Sequence, residues 1–428
     1  MQNPRQLRNS TFGLSLGAAL VALAAAFVLI VVMPQPAQAQ TFTVIHNFSG
    51  GEDGASPYAG VTLDGAGNVY GTANSGGIGY GTVYKLKNRV WTLDPLYEFT
   101  GGSDGANPEA RVIFGPNGTL YGTTVTGGVF NLRPYPTVCK TALCPWMETE
   151  LYYFQGGSSD GFDPEYGDLK FDGLHNIYGT TFYGGNINYN NGYGAGVVYK
   201  LAPSGGGYEE SVLYAFSVSD GEFPINGVIF DGSGNIYGTT YQGGLSNSGT
   251  VFELMPVRGG WTDCTLNNFR NGTDGGYLYA GVIFDPSGTN LYGATSNGGT
   301  GEGGTVFELT PIGNCSWTLN TLYSFTETTA PQCGPRGSLV LDGAGNLYGT
   351  TYCDGAHGFG NIFKLTPQGS YTSLYDFTGG SDGGNPISNA VLDSSGNLYG
   401  TASTGGTQNV GVVWEITPPP ADRHLVRP

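Results

Sequence analysis

Basic side chains are scarce in this sequence: 16 lysines and arginines stand against 33 aspartates and glutamates, a formal net charge of −17 over 428 residues. No cluster of Lys or Arg could neutralise a run of phosphates, which argues against nucleic acid as a partner. Histidine is scarcer still. His46, His175, His357 and His424 are the only 4, and no two have metal-ligand spacing. Nor is there a G-x-S-x-G elbow, a P-loop or a zinc signature, so the common nucleophile, nucleotide and zinc chemistries have no support. With 4 methionines and 11% charged residues, the chain offers little to amphipathic surface helices. Long apolar runs are also lacking, with one exception from Phe12 to Met33. Arg5 and Arg8 precede it, Pro34 and Pro36 break it, and Ala37-Gln38-Ala39 follows as a small-x-small site. The expectation is a signal peptide over residues 1–39, cleaved after Ala39. A retained anchor is the alternative, since a run of about 22 residues can span a bilayer. Without a second span, the mature chain is expected to be secreted, periplasmic or at the cell surface, and monomeric.

Glycine and aromatics are what the chain has in excess: 75 Gly, 28 Tyr and 22 Phe, the composition of many short strands joined by tight turns. They are organised as a repeat. A block N-[VIL]-Y-G-[TA] begins at Asn68, Asn176, Asn235, Asn290, Asn346 and Asn397, and a degraded copy runs from Thr119 to Thr123. Its seven tyrosines (Tyr70, Tyr121, Tyr178, Tyr237, Tyr292, Tyr348, Tyr399) are 51 to 59 residues apart. An aromatic block of the form LYxF recurs independently at residues 44–48, 96, 151, 213, 266, 322 and 374. A third block, G-[TVN]-[VI]-[YFW]-[KE]-[LI], starts at Gly81, Gly196, Gly249, Gly304, Gly360 and Gly411 and is not evident in repeat two. Four short strands per unit of about 55 residues, seven times over, predict an all-β, seven-bladed β-propeller over residues 40–417 with four-stranded blades. The repeat tyrosines are expected to pack between blades. A Pro-rich disordered tail is expected over 418–428.

Repeat and blade are out of phase by one strand. The mature chain opens with a lone LYxF-type strand and closes at Gly411–Ile416 with no fourth strand after it. The ring is therefore expected to close by pairing residues 41–48 with the last blade (390–416), which removes two open edges.

The segments GVIFDGSGNIYGTTYQGG (227–244), GTVFELTP (304–311) and LYDFTGGSDGGNP (374–386) resemble the bacterial GloVer-type tandem repeat of "choice-of-anchor" surface proteins. That resemblance covers almost all of residues 41–417 and implies a propeller with no common activity. The outline is also similar to NHL-type propeller repeats, except that Gly follows the repeat tyrosine where those carry Val.

Asp-Gly pairs follow the aromatic strands at Asp53, Asp104, Asp160, Asp220, Asp274 and Asp382. Asp-Gly is a turn dipeptide. The same six are the candidate carboxylate rim for Ca²⁺ or a cationic ligand, although no D-x-[DN]-x-[DN]-G string is present; otherwise no cofactor is expected. The second set, Asp64, Asp172, Asp231, Asp285, Asp342 and Asp393, reads as turn formers. Residues near the starts of the inner strands that differ between repeats are the candidate ligand-binding set: Tyr58, Glu109, Arg111, Glu165, Tyr166, Asn226, Tyr277, Tyr279, Arg336 and Asn389. Their mixture suits a polar ligand, a glycan or an extracellular protein. His357, near Cys353 and Asp354, is the candidate catalytic histidine. Of the six cysteines, Cys333–Cys353 and Cys139–Cys144 are the expected disulfides, and pairing of Cys264 with Cys315 stays open. The leading expectation is a non-enzymatic recognition scaffold; a polysaccharide lyase or hydrolase and a structural cell-surface protein are the alternatives.

Overall fold

The computed structural model describes residues 40–135, 146–326 and 331–419. Residues 1–39, which carry the expected signal peptide, most of the expected tail, and the Cys139–Cys144 pair lie outside the described residues. Residues 42–417 form one compact unit. Of a second unit, 1–41 with 418–428, only residues 40, 41, 418 and 419 are described.

Seven four-stranded antiparallel sheets follow one another along the chain. They are blade 1 (62–98), blade 2 (113–153), blade 3 (170–215), blade 4 (229–268), blade 5 (283–326), blade 6 (340–376) and blade 7 (391–417 with 41–47). The fold is a seven-bladed β-propeller. Repeat two does contain the third strand, Gly128–Pro134. Its pattern is obscured because a turn closed by Thr124 and Gly128 replaces the longer loop of the other repeats. In blade 3 the bridge that other repeats make at this place, as Ala55 does with Ser75 and Gly384 with Thr404, is extended to a two-stranded pair of Gly161–Phe162 with Tyr183–Gly184.

The repeat's conserved letters have one packing explanation. The Phe ending each LYxF strand meets, edge to face, the third-strand aromatic of the next blade. Phe99 meets Phe130, Phe216 meets Phe252 and Phe325 meets Phe363, at 5.2, 5.0 and 5.1 Å between ring centroids. All six of these rings are buried. The third-strand ring lies across the glycine that follows the repeat tyrosine, as in the pairs Gly238↔Phe252 and Gly349↔Phe363. A Cβ would come within 2.5 Å of the ring at Gly238 and 2.7 Å at Gly349. This is why Gly stands where the NHL outline has Val. Gly238→Ala is expected to destabilise by about 1–3 kcal/mol through overpacking, read from the urea midpoint. Gly232→Ala, where a Cβ meets nothing within 4 Å, should leave that midpoint in place.

The repeat tyrosines pack as expected, and most also donate to the turn aspartate of their own blade. The OH of Tyr70 reaches Asp64 at 3.2 Å, Tyr178 reaches Asp172 at 3.1 Å and Tyr348 reaches Asp342 at 3.0 Å. The Thr two residues after the tyrosine then ties blade to blade. Thr72 Oγ1 donates to the Ala110 carbonyl at 3.1 Å, Thr180 to Asn226 at 2.8 Å and Thr239 to Ala280 at 3.0 Å.

The ring closes through residues 41–48. Strand Thr41–Asn47 lies beside Val412–Thr417 as the fourth strand of blade 7. Phe42 stacks on Tyr375 of blade 6 at 3.6 Å, and Phe48 meets Tyr84 of blade 1 at 5.2 Å. Thr401 Oγ1 donates to the Ala59 carbonyl at 2.8 Å, which carries the inter-blade threonine bond across the closure. Among the described residues two disulfides are present, Cys264–Cys315 between the outer strand of blade 4 and the turn that precedes the outer strand of blade 5, and Cys333–Cys353 within the loops of blade 6. The first joins Cα atoms 5.8 Å apart across a separation of 51 residues, although the two are not equivalent repeat positions, since Asn320 pairs with Glu308 where Cys264 pairs with Glu253.

Candidate functional site

Each inner strand is only two residues long, as at Ile229–Phe230, and the chain reaches it from the blade's rim through a short extended segment. Two residues before each inner strand stand Gly60, Arg111, Asp168, Gly227, Gly281, Ser338 and Asn389. Two residues earlier again stand Tyr58, Glu109, Tyr166, Ile225, Tyr279, Arg336 and Ile387. All seven of this second set line one pocket at the channel mouth. It encloses about 500 Å³, open solvent at its entrance included.

The floor of the pocket is a polar layer that crosses the channel. Asp168 of blade 3 accepts from Arg111 of blade 2 through Nε at 3.0 Å, through a terminal nitrogen at 2.8 Å and through its backbone N–H at 3.2 Å. Asn389 of blade 7 donates to the same carboxylate at 3.3 Å and accepts from the Ser338 backbone N–H of blade 6 at 2.5 Å. Ser338 Oγ accepts from Gly281 of blade 5 at 2.8 Å and faces Asn226 Oδ1 of blade 4 at 3.4 Å. Six blades are thereby linked. The glycines at the remaining positions make room: a Cβ on Gly60 would sit 2.7 Å from the Asn389 carbonyl, and one on Gly227 would strike that of Asp168. Below this layer the channel is lined by inner-strand residues such as Ile229, Ile283, Val340 and Val391.

Two blades break the repeat where they meet the mouth. Blade 3 has one extra residue between Asp163 and Asp168, and Tyr166 takes it up with a positive φ of 44°. For a bulky residue that conformation costs of order 1–3 kcal/mol. It also moves the carbonyl that would receive the inter-blade threonine bond from blade 2: Thr123 Oγ1 is buried and has no partner. What is gained is a tyrosine whose OH hydrogen-bonds Glu109. Asn74 Nδ2 donates to the same carboxyl at 2.7 Å. In blade 6, Arg336 replaces the Tyr or Ile of most other blades. Its guanidinium carbon lies 3.7 Å from the ring centroid of Tyr352 and 4.6 Å from that of Tyr279.

Burial governs the electrostatics of the blade 3 side. It raises the Glu109 carboxyl to about 7, opposed by the Tyr166 hydrogen bond and reinforced by the Asp163 charge. Glu165 is pushed up to about 8 by burial and by the Asp163 and Glu109 charges, and Asp163 to about 6 by burial. The hydroxyls of Tyr58, Tyr166 and Tyr279 are held protonated, chiefly by burial. Carboxyl groups in unfolded chains titrate near 4, so between about pH 5 and pH 8 the folded chain binds more protons than the unfolded one, and stability falls as pH rises. The urea midpoint is expected to be higher at pH 5.5 than at pH 8.5. Glu109→Gln with Glu165→Gln should shrink the difference, although Glu148, Glu210 and Asp263 are raised in the same sense and will keep part of it. A midpoint that climbs with pH across this window would contradict the assignment.

The repeat that builds this mouth matches the Gloeobacter/Verrucomicrobia repeat model over residues 31–192, 137–333 and 263–426. The chain belongs to that repeat family. Among solved structures, this family member is similar to an extracellular domain assigned to a hybrid two-component system of B. thetaiotaomicron, at 12% identity and a TM-score of 0.55. The match covers 87% of this chain and 39% of that one. A further B. thetaiotaomicron extracellular domain, assigned to a one-component system, is similar at 12% identity and a TM-score of 0.53, over 87% of this chain and 40% of that one. The chain thus spans about two fifths of the length of those structures. A Xanthomonas campestris gluconolactonase is similar at 10% identity and a TM-score of 0.45, over 89% of this chain and 91% of that one. No curated protein sequence matches. At these identities the likeness concerns the fold.

Of the ten candidate binding residues in this family member, Tyr58, Glu109, Arg111, Tyr166, Asn226, Tyr279, Arg336 and Asn389 line the mouth pocket. Glu165 stands beside it within the carboxyl cluster, and Tyr277 packs on Tyr241 at 5.6 Å. Sequence reasoning overlooked Asp168, Ser338 and Tyr352. Asp168 and Ser338 could have been found as polar residues where Gly60, Gly227 and Gly281 stand in other repeats. The Asp-Gly aspartates do not line the pocket. They bind their own loops, as Asp104 does through Tyr97 at 2.9 Å, Asp220 through Tyr214 at 2.7 Å and Asp382 through Tyr375 at 3.0 Å. Asp53 is held by His46 at 3.1 Å, Asp160 by the Gln155 N–H at 2.8 Å and Asp274 by the Arg270 N–H at 3.1 Å. Among the described residues no three His, Cys, Asp or Glu side chains are grouped to hold a metal ion. His357 is exposed in its loop and away from the pocket lining.

Proposed function

We propose that this protein is a non-enzymatic recognition propeller that binds a glycan at the channel mouth, in an oxidising compartment outside the cytosol. The observation that carries the reading is the convergence of the repeat's departures. Tyr166 with its strained backbone, Arg336, and the polar floor residues Arg111, Asp168 and Asn389 all line one pocket. Other blades pack with glycine at the floor position and without the extra residue or the arginine, and symmetry broken at a cost in one place is what a functional site leaves in a repeat protein. Tyrosine faces beside amide, carboxyl and guanidinium groups suit sugar rings and their hydroxyls. The concavity favours the end of a chain over a flat protein surface, which would need roughly 800 Å² from each partner. Two disulfides fit the compartment, as does the export expected from residues 1–39. Among the described residues no helix is long and apolar enough to cross a membrane.

Glycan and peptide arrays probed with the mature chain test the reading. Binding to glycans that Tyr166→Ala and Tyr279→Ala weaken is the expected result. Binding to peptides alone, or binding that neither substitution alters, would place the function elsewhere. Turnover of a bound polysaccharide would replace the reading with the enzymatic one.

A further inference from the structure

We propose that the mouth selects a saccharide bearing a carboxylate, with Arg336 as the group that reads the carboxylate and the neighbouring tyrosines as the surfaces that hold the sugar ring. This rests on the reading that the mouth binds a glycan.

The mouth contains two arginines in opposite situations. Arg111 is neutralised within the protein by Asp168, at 2.8 and 3.0 Å. Arg336 is not. Among the described residues no carboxylate lies within ion-pair distance of it, its Nε is buried without a partner, and its one hydrogen bond to protein is a 3.4 Å contact from a terminal nitrogen to the Gln332 carbonyl. A guanidinium has five N–H donors. The residue is half-buried, and a cation held partly out of water with donors unused costs free energy that a ligand anion would return.

The arrangement is also built to keep its shape. Tyr352 and Tyr279 stack on the guanidinium. The disulfide Cys333–Cys353 joins the two segments that carry Arg336 and Tyr352, and Tyr352 N–H donates to the Gly334 carbonyl at 3.1 Å. Aromatic stacking leaves the edge of the guanidinium as the part that can meet a ligand, and that edge matches the two oxygens of a carboxylate.

Charge limits the ligand further. The chain carries a net charge of −17, and Glu109, Asp163 and Glu165 cluster near the blade 3 wall of the mouth. A polyanion would meet that wall, where Asp163 is ionised and Glu109 partly so at neutral pH, along its length. A single carboxylate need not: its attraction to Arg336 acts at contact distance, whereas charges more than about 8 Å away are largely screened at physiological ionic strength. A chain end with one acidic sugar therefore fits better than an acidic polymer.

The test is isothermal titration of the mature protein with methyl β-D-glucuronide, its methyl ester, methyl β-D-glucoside and N-acetyl-diglycine. The glucuronide is expected to bind at least tenfold more tightly than the ester or the glucoside, and Arg336→Met to erase that difference while the exposed Arg258→Met preserves it. The ester comparison uses unaltered protein, so it decides the matter even where Arg336→Met fails to fold. Equal affinity for the glucuronide, its ester and the glucoside would overturn the carboxylate assignment and leave the glycan reading standing. N-acetyl-diglycine binding while no sugar binds would overturn both, as would the absence of binding by any of these probes.

Discussion

A chain lacking residues 40–50 is expected to lose about 6 kcal/mol of stability or more, counting about 2 kcal/mol for each apolar side chain withdrawn from the core. Ile45 and Phe48 are buried at 6% and 1% exposure, and Phe42 and Val44 pack against the cluster of blades 6 and 7. The loss extends past these contacts. Phe48 belongs to the core shared with Val61, Val69 and Tyr84 of blade 1, so its removal uncovers the first blade as well as the last. The backbone of Val412–Thr417 would be left as an open edge. The measurement is the thermal midpoint of the truncated chain beside that of Phe48→Ala, which should cost about 3–5 kcal/mol by itself. Truncation should exceed the point substitution, and a synthetic peptide of residues 40–50 should restore much of the midpoint. A truncated chain as stable as Phe48→Ala would mean that the ring does not depend on closure.

The second large effect is expected at the floor of the mouth. Asp168→Ala removes the acceptor of Arg111 Nε, its terminal nitrogen and its backbone N–H, together with that of Asn389. Breaking a buried pair from one side costs about 3–5 kcal/mol. With the Arg111 and Asp168 side chains 28% and 17% exposed, the lower end applies. Asp168→Asn retains shape and an acceptor and should cost less. In the Arg111→Met, Asp168→Ala double variant the stranded guanidinium is gone, and its stability should recover above that of Asp168→Ala. Additive losses in that cycle would show that the pair contributes nothing as a pair.

The fold was legible because every blade repeats one packing solution. Phe of LYxF, the third-strand aromatic and the glycine after the repeat tyrosine are a single contact written seven times, so their spacing reports the blade. The same logic located most of the mouth, since positions that vary within a strict repeat answer to something other than packing. It worked less well where the repeat was altered by length. Blade 2's third strand escaped notice because its preceding loop is shortened, and the extra residue at Tyr166 hid the register that aligns it with Glu109. Asp-Gly looked like a possible rim of carboxylates because sequence shows the aspartate and conceals the tyrosine or loop amide that occupies it.

Ring closure by residues 41–48 followed from sequence alone, since a repeat that begins one strand early and ends one strand short leaves a single way to complete seven blades. What only the tertiary structure decided is which varying residues share a wall. Arg111 finds Asp168 from 57 residues away and Asn389 reaches the same carboxylate from 221, while Arg336 finds no carboxylate among the described residues. Periodicity places residues on a blade, but the charge balance of the mouth depends on contacts between blades, and those distances exist only once the ring has closed.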